Sequence, residues 1–400
     1  MFNNYCLACG STKLILQLDF GSQPLANSYL SDKDHDEKTY PLAVKLCKKC
    51  YHLQLNFSVP QEEIYKNYLY LSGTSNTLSQ YCDWFASHVT KEVGSVGSVI
   101  DIGCNDGTQL DYFKNLGWDT YGIDPAENIY NLSSVKHTIW NNFFTRDAVS
   151  LINKTFDVII AQNVMAHNPS PLEFLFNCKA LMNDDSTIYV QTSQCNMILN
   201  NEFDTIYHEH INFFNLQSMM KLCERAGLHL VDMKKTPIHG TSYVFVIKKS
   251  PLDVYNLAKL MSIEYAAGLY QKNTYDLWAQ KVNNIRLNLI DIIEIYRNDG
   301  FRLIGYGAAA KGNTLLNFTK IKLDFIIDDN PLKQNLYTPG MKINIKSINS
   351  LDTLDINEKV LFIPLAWNFF NEIKSKILSK RSNPNDKFLI YFPEVKIDDI

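Results

Sequence analysis

The sequence predicts an α/β protein in which two glycine-loop sheets follow a small cysteine-paired module. Three observations predict it. Two C-x-x-C pairs stand near the start. A central stretch alternates apolar strands with helical segments after "GSVIDIGCNDG". A second alternation begins near residue 300 with "GFRLIGYGAAAKGN". Such alternation builds doubly wound sheets. At 400 residues the chain exceeds one ordinary core. We expect a cysteine module over 1–60, a helical connector over 61–91, a central sheet domain over 92–250 and a C-terminal sheet domain over 251–400.

Apolar residues make up 46% and charged residues 20%, so the chain should be globular throughout. The net charge is −4 and no basic stripe appears, which argues against nucleic acid as a partner. No apolar run approaches the roughly 18 to 20 residues of a membrane span. "MFNNYCLACG" lacks the basic and apolar regions of a signal peptide. The expectation is a soluble, cytoplasmic protein without membrane contact. Oligomeric state is open, and a monomer is compatible with the sequence.

Cys6, Cys9, Cys47 and Cys50 form the two pairs. Each C-x-x-C turn points two sulfurs at one spot, and two turns complete a tetrahedral Zn(II) shell. Gly10 suits the tight turn after the first pair. Lys48 and Lys49 would soften the charge of four thiolates around one dication. Such a site is closed and structural, and supports a segment too small to build its own core. The alternative is a set of unrelated buried or redox cysteines.

The connector precedes a strand over Ser98–Ile102, a loop over Gly103, Cys104, Asn105, Asp106 and Gly107, and a helix from Thr108. A second strand, Thr120–Ile123, ends at Asp124. Ligands bind such sheets at the carboxyl ends of strands. A dinucleotide loop reads G-x-G-x-x-G and cradles a pyrophosphate. Here the glycines are four apart, and Asp101 and Asp106 would repel phosphate. An anionic loop suits a cationic ligand, and S-adenosylmethionine carries an ammonium and a sulfonium. Asp124 is placed to accept its ribose hydroxyls. Loop and acid together look like motifs I and II of class I methyltransferases. Asn163 and His167, after the fourth strand, should face cofactor or acceptor; capping a helix is the other reading of His167.

In the C-terminal third, strand Arg302–Ile304 leads into Gly305, Tyr306, Gly307, Ala308, Ala309, Ala310, Lys311, Gly312 and Asn313. The spacing fits G-x-G-x-x-A, a phosphate-cradling loop, and Lys311 adds a cation near a helix N-terminus. Asp328 and Asp329 close the next strand at the position of a ribose-binding acid. Read alone this suggests NAD; beside a methyl-donor domain, a phosphate-bearing substrate suits it better. Residues 251–298 read as a helical bridge.

"DTIYHEHINFF" invites a metal, base or buried-patch reading of His208, Glu209 and His210. Taken with the C-x-x-C pairs, "DIGCNDG", "NVMAH" and "GYGAAAKGNTLLN", it resembles the sugar C-methyltransferases along nearly the whole chain. That family acts on nucleotide-linked 4-keto-deoxysugars. The resemblance implies an N-terminal zinc-binding domain, a central class I S-adenosylmethionine methyltransferase sheet and a C-terminal Rossmann-like domain that receives the nucleotide sugar. It implies His210 as general base, Glu209 and Tyr207 as pocket-lining partners, His167 as the histidine after N-V-x-A, and a connector tyrosine. Tyr70 matches that tyrosine best, with Tyr68 a competitor. His208 takes a structural role. The family's H-G-G-S stretch is His239-Gly240-Thr241-Ser242 here. Thr replaces the second glycine, and Tyr243-Val244 follow where the family usually carries a basic residue, so the resemblance does not carry the family's exact sugar and nucleotide contacts over to this stretch.

The chemistry agrees. A 4-keto group acidifies the C3 proton, a base within hydrogen-bonding reach removes it, and donors hold the enolate oxygen. The rival readings are an O- or N-methyltransferase, an NAD-dependent sugar-modifying enzyme working through the Gly305 loop, and a non-catalytic zinc adaptor. dTDP, GDP and CDP are equally open as the nucleotide, and C5, also next to the 4-keto carbon, is the alternative to C3, which the resemblance favours.

Overall fold

The structure is a computed structural model. It describes residues 1–65, 76–192, 195–238, 242–251 and 255–399. Tyr70, Tyr68, His239 and Gly240 lie outside the described residues. Three sheets carry the chain. In sequence order the strands are β1 (Leu14–Pro24), β2 (Thr39–Cys47), β3 (Leu53–Leu55), β4 (Ser98–Ile102), β5 (Asp119–Ile123), β6 (Thr138–Trp140), β7 (Phe156–Gln162) and β8 (Met182–Thr192). They continue with β9 (Asn212–Phe213), β10 (His229–Thr236), β11 (Ser242–Lys248), β12 (Arg302–Tyr306), β13 (Phe325–Ile327) and β14 (Ile345–Lys346). Last come β15 (Val360–Pro364), β16 (Lys387–Ile390) and β17 (Lys396–Asp399).

The chain forms two compact units interleaved in sequence. One comprises residues 1–15, 45–195 and 209–271; the other comprises 16–44, 196–208 and 272–400. No described helix is long and apolar enough to cross a membrane.

The first unit holds a seven-stranded sheet in the order β10-β11-β8-β7-β4-β5-β6. β11 alone runs against the rest, antiparallel to both β8 and β10. Val99, Ile100 and Ile102 on β4 and Val158, Ile159 and Ile160 on β7 are fully or almost fully buried, as expected of parallel strands covered on both faces. The short β3 pairs with the two-residue β9, Leu53 opposite Phe213 and Gln54 opposite Asn212. β9 is an edge strand beside β3.

The second unit holds a sheet ordered β14-β13-β12-β15-β16-β17, parallel except for β17. β12 is longer than the sequence reading. Gly305 and Tyr306 are strand residues opposite Ile326 and Ile327 on one side and Ile363 and Pro364 on the other. The helix begins at Ala310, so Lys311, Gly312 and Asn313 occupy its first turn rather than a loop. Ladder hydrogen bonds on both sides of β12 extend the strand beyond what local pattern reveals. The helical bridge is two helices, Tyr255–Ala266 and Lys272–Asn298.

Candidate active site and cysteine centre

The loop after β4 is shaped by residues that accept a positive φ. Gly103 (φ +74°), Asn105 (φ +51°) and Gly107 (φ +82°) lie in the left-handed region, which asparagine tolerates best after glycine. A Cβ on Gly103 would sit 2.5 Å from Val164 Cγ2, so only glycine lets the two loops meet. Asp124, just past β5, accepts the Asn105 N–H through Oδ2 and the Ala126 N–H through Oδ1, both at 2.9 Å.

These groups line a cavity of about 230 Å³ at the carboxyl ends of the parallel strands. Asp101, Gly103, Cys104, Asn105, Asp124, Asn163 and His167 all line it. Asp106 and Gly107 do not. Asp106 turns onto Thr108, accepting its N–H at 3.1 Å and its hydroxyl at 2.7 Å. Gly107 makes room for His137, whose ring carbon would lie 3.0 Å from a Cβ. Sequence reasoning missed Gln162 and Phe143, which also line the cavity. Gln162 is a polar residue at the carboxyl end of a buried strand, which is a usable signal. Phe143 comes in from beyond β6 and has no local one.

Two carboxylates and no lysine or arginine stand among the described lining residues. Burial and repulsion from Asp124 and Asp106 push the Asp101 carboxyl well above the usual range. Such a lining fits a cationic ligand and opposes a phosphate. Each Asp124 oxygen keeps a lone pair for a ribose hydroxyl after taking its backbone N–H. The donor set therefore fits S-adenosylmethionine.

His167 follows β7 on a short 3-10 turn, and its ring centroid is 5.0 Å from that of His210 at an interplanar angle of 47°. His167 lines the cavity, and burial pushes its pKa down to about 4. Glu209 is buried beside His210. Tyr207 and His208 are grouped with the second unit, where buried His208 contacts the Tyr40 carbonyl at 3.2 Å.

The four sulfurs of Cys6, Cys9, Cys47 and Cys50 lie within 4.8 Å of one another. Cys6 and Cys50 are 3.5 Å apart, and Cys9 and Cys47 are 3.6 Å apart. A tetrahedron with Zn–S near 2.3 Å has edges of roughly 3.8 Å, so the cluster fits zinc. The Cys9 N–H points to Cys6 Sγ and the Lys49 N–H to Cys47 Sγ, each at 3.4 Å. Gly10 (φ +75°) and Tyr51 (φ +56°) close the two turns in the left-handed region.

In the second unit the predicted phosphate loop is tightly packed. A Cβ on Gly305 would meet Leu323 at 2.9 Å, one on Gly307 Ala366 at 2.8 Å, and one on Gly312 Leu365 at 2.8 Å. Asp328 Oδ2 accepts the Ala308 N–H at 2.7 Å, and the Tyr306 hydroxyl donates to Asp329 at 2.7 Å. Lys311 lies over the Trp367 ring, 5.1 Å from its centroid, and Asn313 Nδ2 donates to the Ala26 carbonyl at 2.7 Å.

Three family models match successive stretches: a "Putative zinc binding domain" over residues 6–65, a "Methyltransferase domain" over 74–233 and a "C-methyltransferase C-terminal domain" over 237–393. The C-terminal stretch matches a C-methyltransferase model and the central stretch a methyltransferase model. The chain is 26% identical to the C-methyltransferase NovU of Streptomyces niveus over 98% of its own length and 96% of that protein. A ubiquinone biosynthesis O-methyltransferase of Roseobacter denitrificans is 24% identical over 39% of this chain and 69% of that one. Among solved structures, the magnesium protoporphyrin IX methyltransferase of Synechocystis PCC 6803 aligns at TM-score 0.35 and 13% identity, over 48% of this chain and 89% of that one. The matched stretches thus join a four-cysteine cluster that fits zinc to a methyltransferase domain and a C-methyltransferase C-terminal domain.

Proposed function

We propose that this protein is a C-methyltransferase that methylates a ring carbon, C3, next to the 4-keto group of a nucleotide-linked deoxyhexose. The observation that carries the reading is the His167–His210 pair, 5.0 Å between ring centroids, with His167 at the cavity wall. Carbon methylation needs a base near the donor and a partner for the enolate oxygen. An imidazole at the cavity wall and a second one packed against it would supply both.

Bound S-adenosylmethionine supplies an electrophilic sulfonium methyl. Asp101 and Asp124 hold its cationic and ribose ends, and Asn105 and Asn163 frame it. His210 takes the C3 proton at a ring nitrogen. Neutral His167 donates an N–H to the oxygen that gathers charge. Glu209 and Tyr207 orient the sugar. The strand-and-helix turn around Gly305, Gly307 and Lys311 receives the nucleotide. The four cysteines hold Zn(II) and take no part in the chemistry. The resemblance of the motifs supports the sugar class.

The test incubates the protein with dTDP-4-keto-6-deoxyglucose in deuterated buffer. Wild type should exchange the C3 proton and yield a C-methyl product by carbon NMR. His210→Asn should bind S-adenosylmethionine as wild type does, yet lose exchange and transfer. Normal turnover in that variant would remove His210 from its role, and an O-methyl product would overturn carbon as the acceptor.

A further inference from the structure

The cysteine module and the histidine pair are joined by one fully buried side chain. Asn212 lies two residues after His210 and is 0% exposed. Its Nδ2 donates to the Asn168 carbonyl at 2.8 Å, and its Oδ1 faces His52 Nε2 at 3.1 Å. The first bond fixes the amide's orientation, so Oδ1 must be the atom toward His52 and His52 must carry its proton on Nε2. His52 is also 0% exposed and sits two residues past Cys50. Its backbone carbonyl accepts the Cys47 N–H at 2.9 Å. One residue thus holds the cysteine turn through its backbone carbonyl and Asn212 through its ring.

The grip continues to both histidines. The Ile211 N–H donates to the Ala166 carbonyl at 2.8 Å, while Asn212 holds the Asn168 carbonyl. These are the carbonyls on either side of His167, and they are held by the two residues that follow His210. On the other flank the Leu55 N–H donates to the Ile211 carbonyl at 2.9 Å, so β3 fixes the same segment. The rings of His52 and Phe214 pack 4.6 Å apart. Every polar group of this chain of contacts is within the first unit.

We infer that Asn212 is a positioning residue for methyl transfer, setting the mutual orientation of His167 and His210 from the cysteine module through His52. The inference rests on the base role proposed for His210. The two side-chain hydrogen bonds of Asn212 go to His52 and the Asn168 carbonyl, so its effect is geometric: a small displacement of either segment changes the distance from base to C3 proton and from donor to enolate oxygen. Interactions that orient a reacting group through one intermediate typically matter by about 10- to 100-fold, and misplacement of about an ångström by about 100-fold.

The experiment compares Asn212→Leu, His52→Leu and His52→Gln in the full-length, zinc-loaded protein. Asn212→Leu should lower kcat about 10- to 100-fold while KM for the nucleotide sugar, the calorimetric affinity for S-adenosylmethionine and the zinc content stay within twofold. Nitrogen-15 NMR of the histidine rings should show the His167 and His210 signals and their titration shifted. His52→Leu should act in the same direction. His52→Gln retains an N–H at that place and should recover most of kcat, which keeps the idea testable if Asn212→Leu fails to fold. Unmoved kcat and unmoved His167 and His210 resonances in the leucine variants would overturn the inference. So would a parallel fall in zinc content, cofactor affinity and kcat, because that pattern marks a packing defect. The ring resonances are read without substrate, so they separate failure here from failure of the sugar reading, which the His210→Asn variant decides.

Discussion

Asp124 accepts the backbone N–H of Asn105 at 2.9 Å, tying the end of β5 to the glycine loop after β4. The second unit repeats the device: Asp328, past β13, accepts the Ala308 N–H at 2.7 Å and the Asn330 N–H at 2.8 Å. The two loops share this brace and differ in what surrounds it. The Asp124 brace borders a cavity. Asp328 lies 3.8 Å from the Lys333 ammonium. Asp124→Ala should therefore weaken S-adenosylmethionine binding by on the order of 10- to 100-fold, the scale of one or two charge-assisted hydrogen bonds. Asp328→Ala should lower the melting temperature with cofactor affinity unchanged. Calorimetric titration beside thermal unfolding separates the two.

Cofactor binding should release a proton. Asp101 is held well above its usual pKa by burial and by Asp124 and Asp106, so below that raised pKa it carries a proton before the ligand arrives. An ammonium or sulfonium beside it restores the charge. Affinity should then rise with pH through the folded pKa of Asp101 and fall as pH drops below it. Titration in buffers of different ionisation enthalpy measures the released proton, and Asp101→Asn should abolish the release.

Gly103→Ala places a Cβ 2.5 Å from Val164 Cγ2 in a left-handed conformation. Backbone strain alone is worth about 1 to 3 kcal/mol. Val164 lines the cavity, so cofactor affinity should drop with stability. Gly117→Ala is the control. Its φ is +92° but nothing lies within 4 Å of the added carbon, so it should lose stability without losing affinity.

Buried His208 has its pKa pushed down to about 4 by desolvation, partly opposed by the Tyr40 and Pro41 backbone. The folded pKa lies below the ordinary value, so unfolding takes up a proton between about pH 4 and 6.5. The contribution to stability is complete above about 6.5 and declines as pH falls toward 4. His208→Gln should flatten the acid limb of stability by up to about 1.4 kcal/mol per pH unit. Denaturant midpoints at pH 4.5, 5.5 and 7, taken for both proteins, check it.

Cys47→Ser should remove zinc and lower stability by several kcal/mol, since binding energy at a closed structural site is folding energy. A colorimetric zinc assay with a thermal scan reads both. Retention of full zinc content would contradict a four-thiolate shell.

Local patterns reached the parts that local chemistry builds. C-x-x-C spacing located the four cysteines, and glycines four apart with Asp124 located the cavity. The sequence reading failed where distant segments complete a feature. Phe143 and Gln162 enter the cavity through sheet order, and Asp106 leaves it because its side chain finds Thr108 first. β12 runs through Gly305 because neighbours on both sides offer hydrogen bonds. Residues 196–208 give no sign of grouping with the second unit, where Trp278 holds the Glu202 carbonyl at 3.0 Å and Trp367 the Asp204 carboxylate at 2.8 Å.

The pairing of β3 with β9 also orders events on the ribosome. Leu53 meets Phe213, so the N-terminal sheet gains its last strand only after roughly 160 further residues have been made, on the order of 10 to 30 seconds at ordinary elongation rates. All four thiols emerge before that, with His52 and Gln54 still without the strand that will cover them. Metal capture in the nascent chain would shield those thiols from oxidation during the wait.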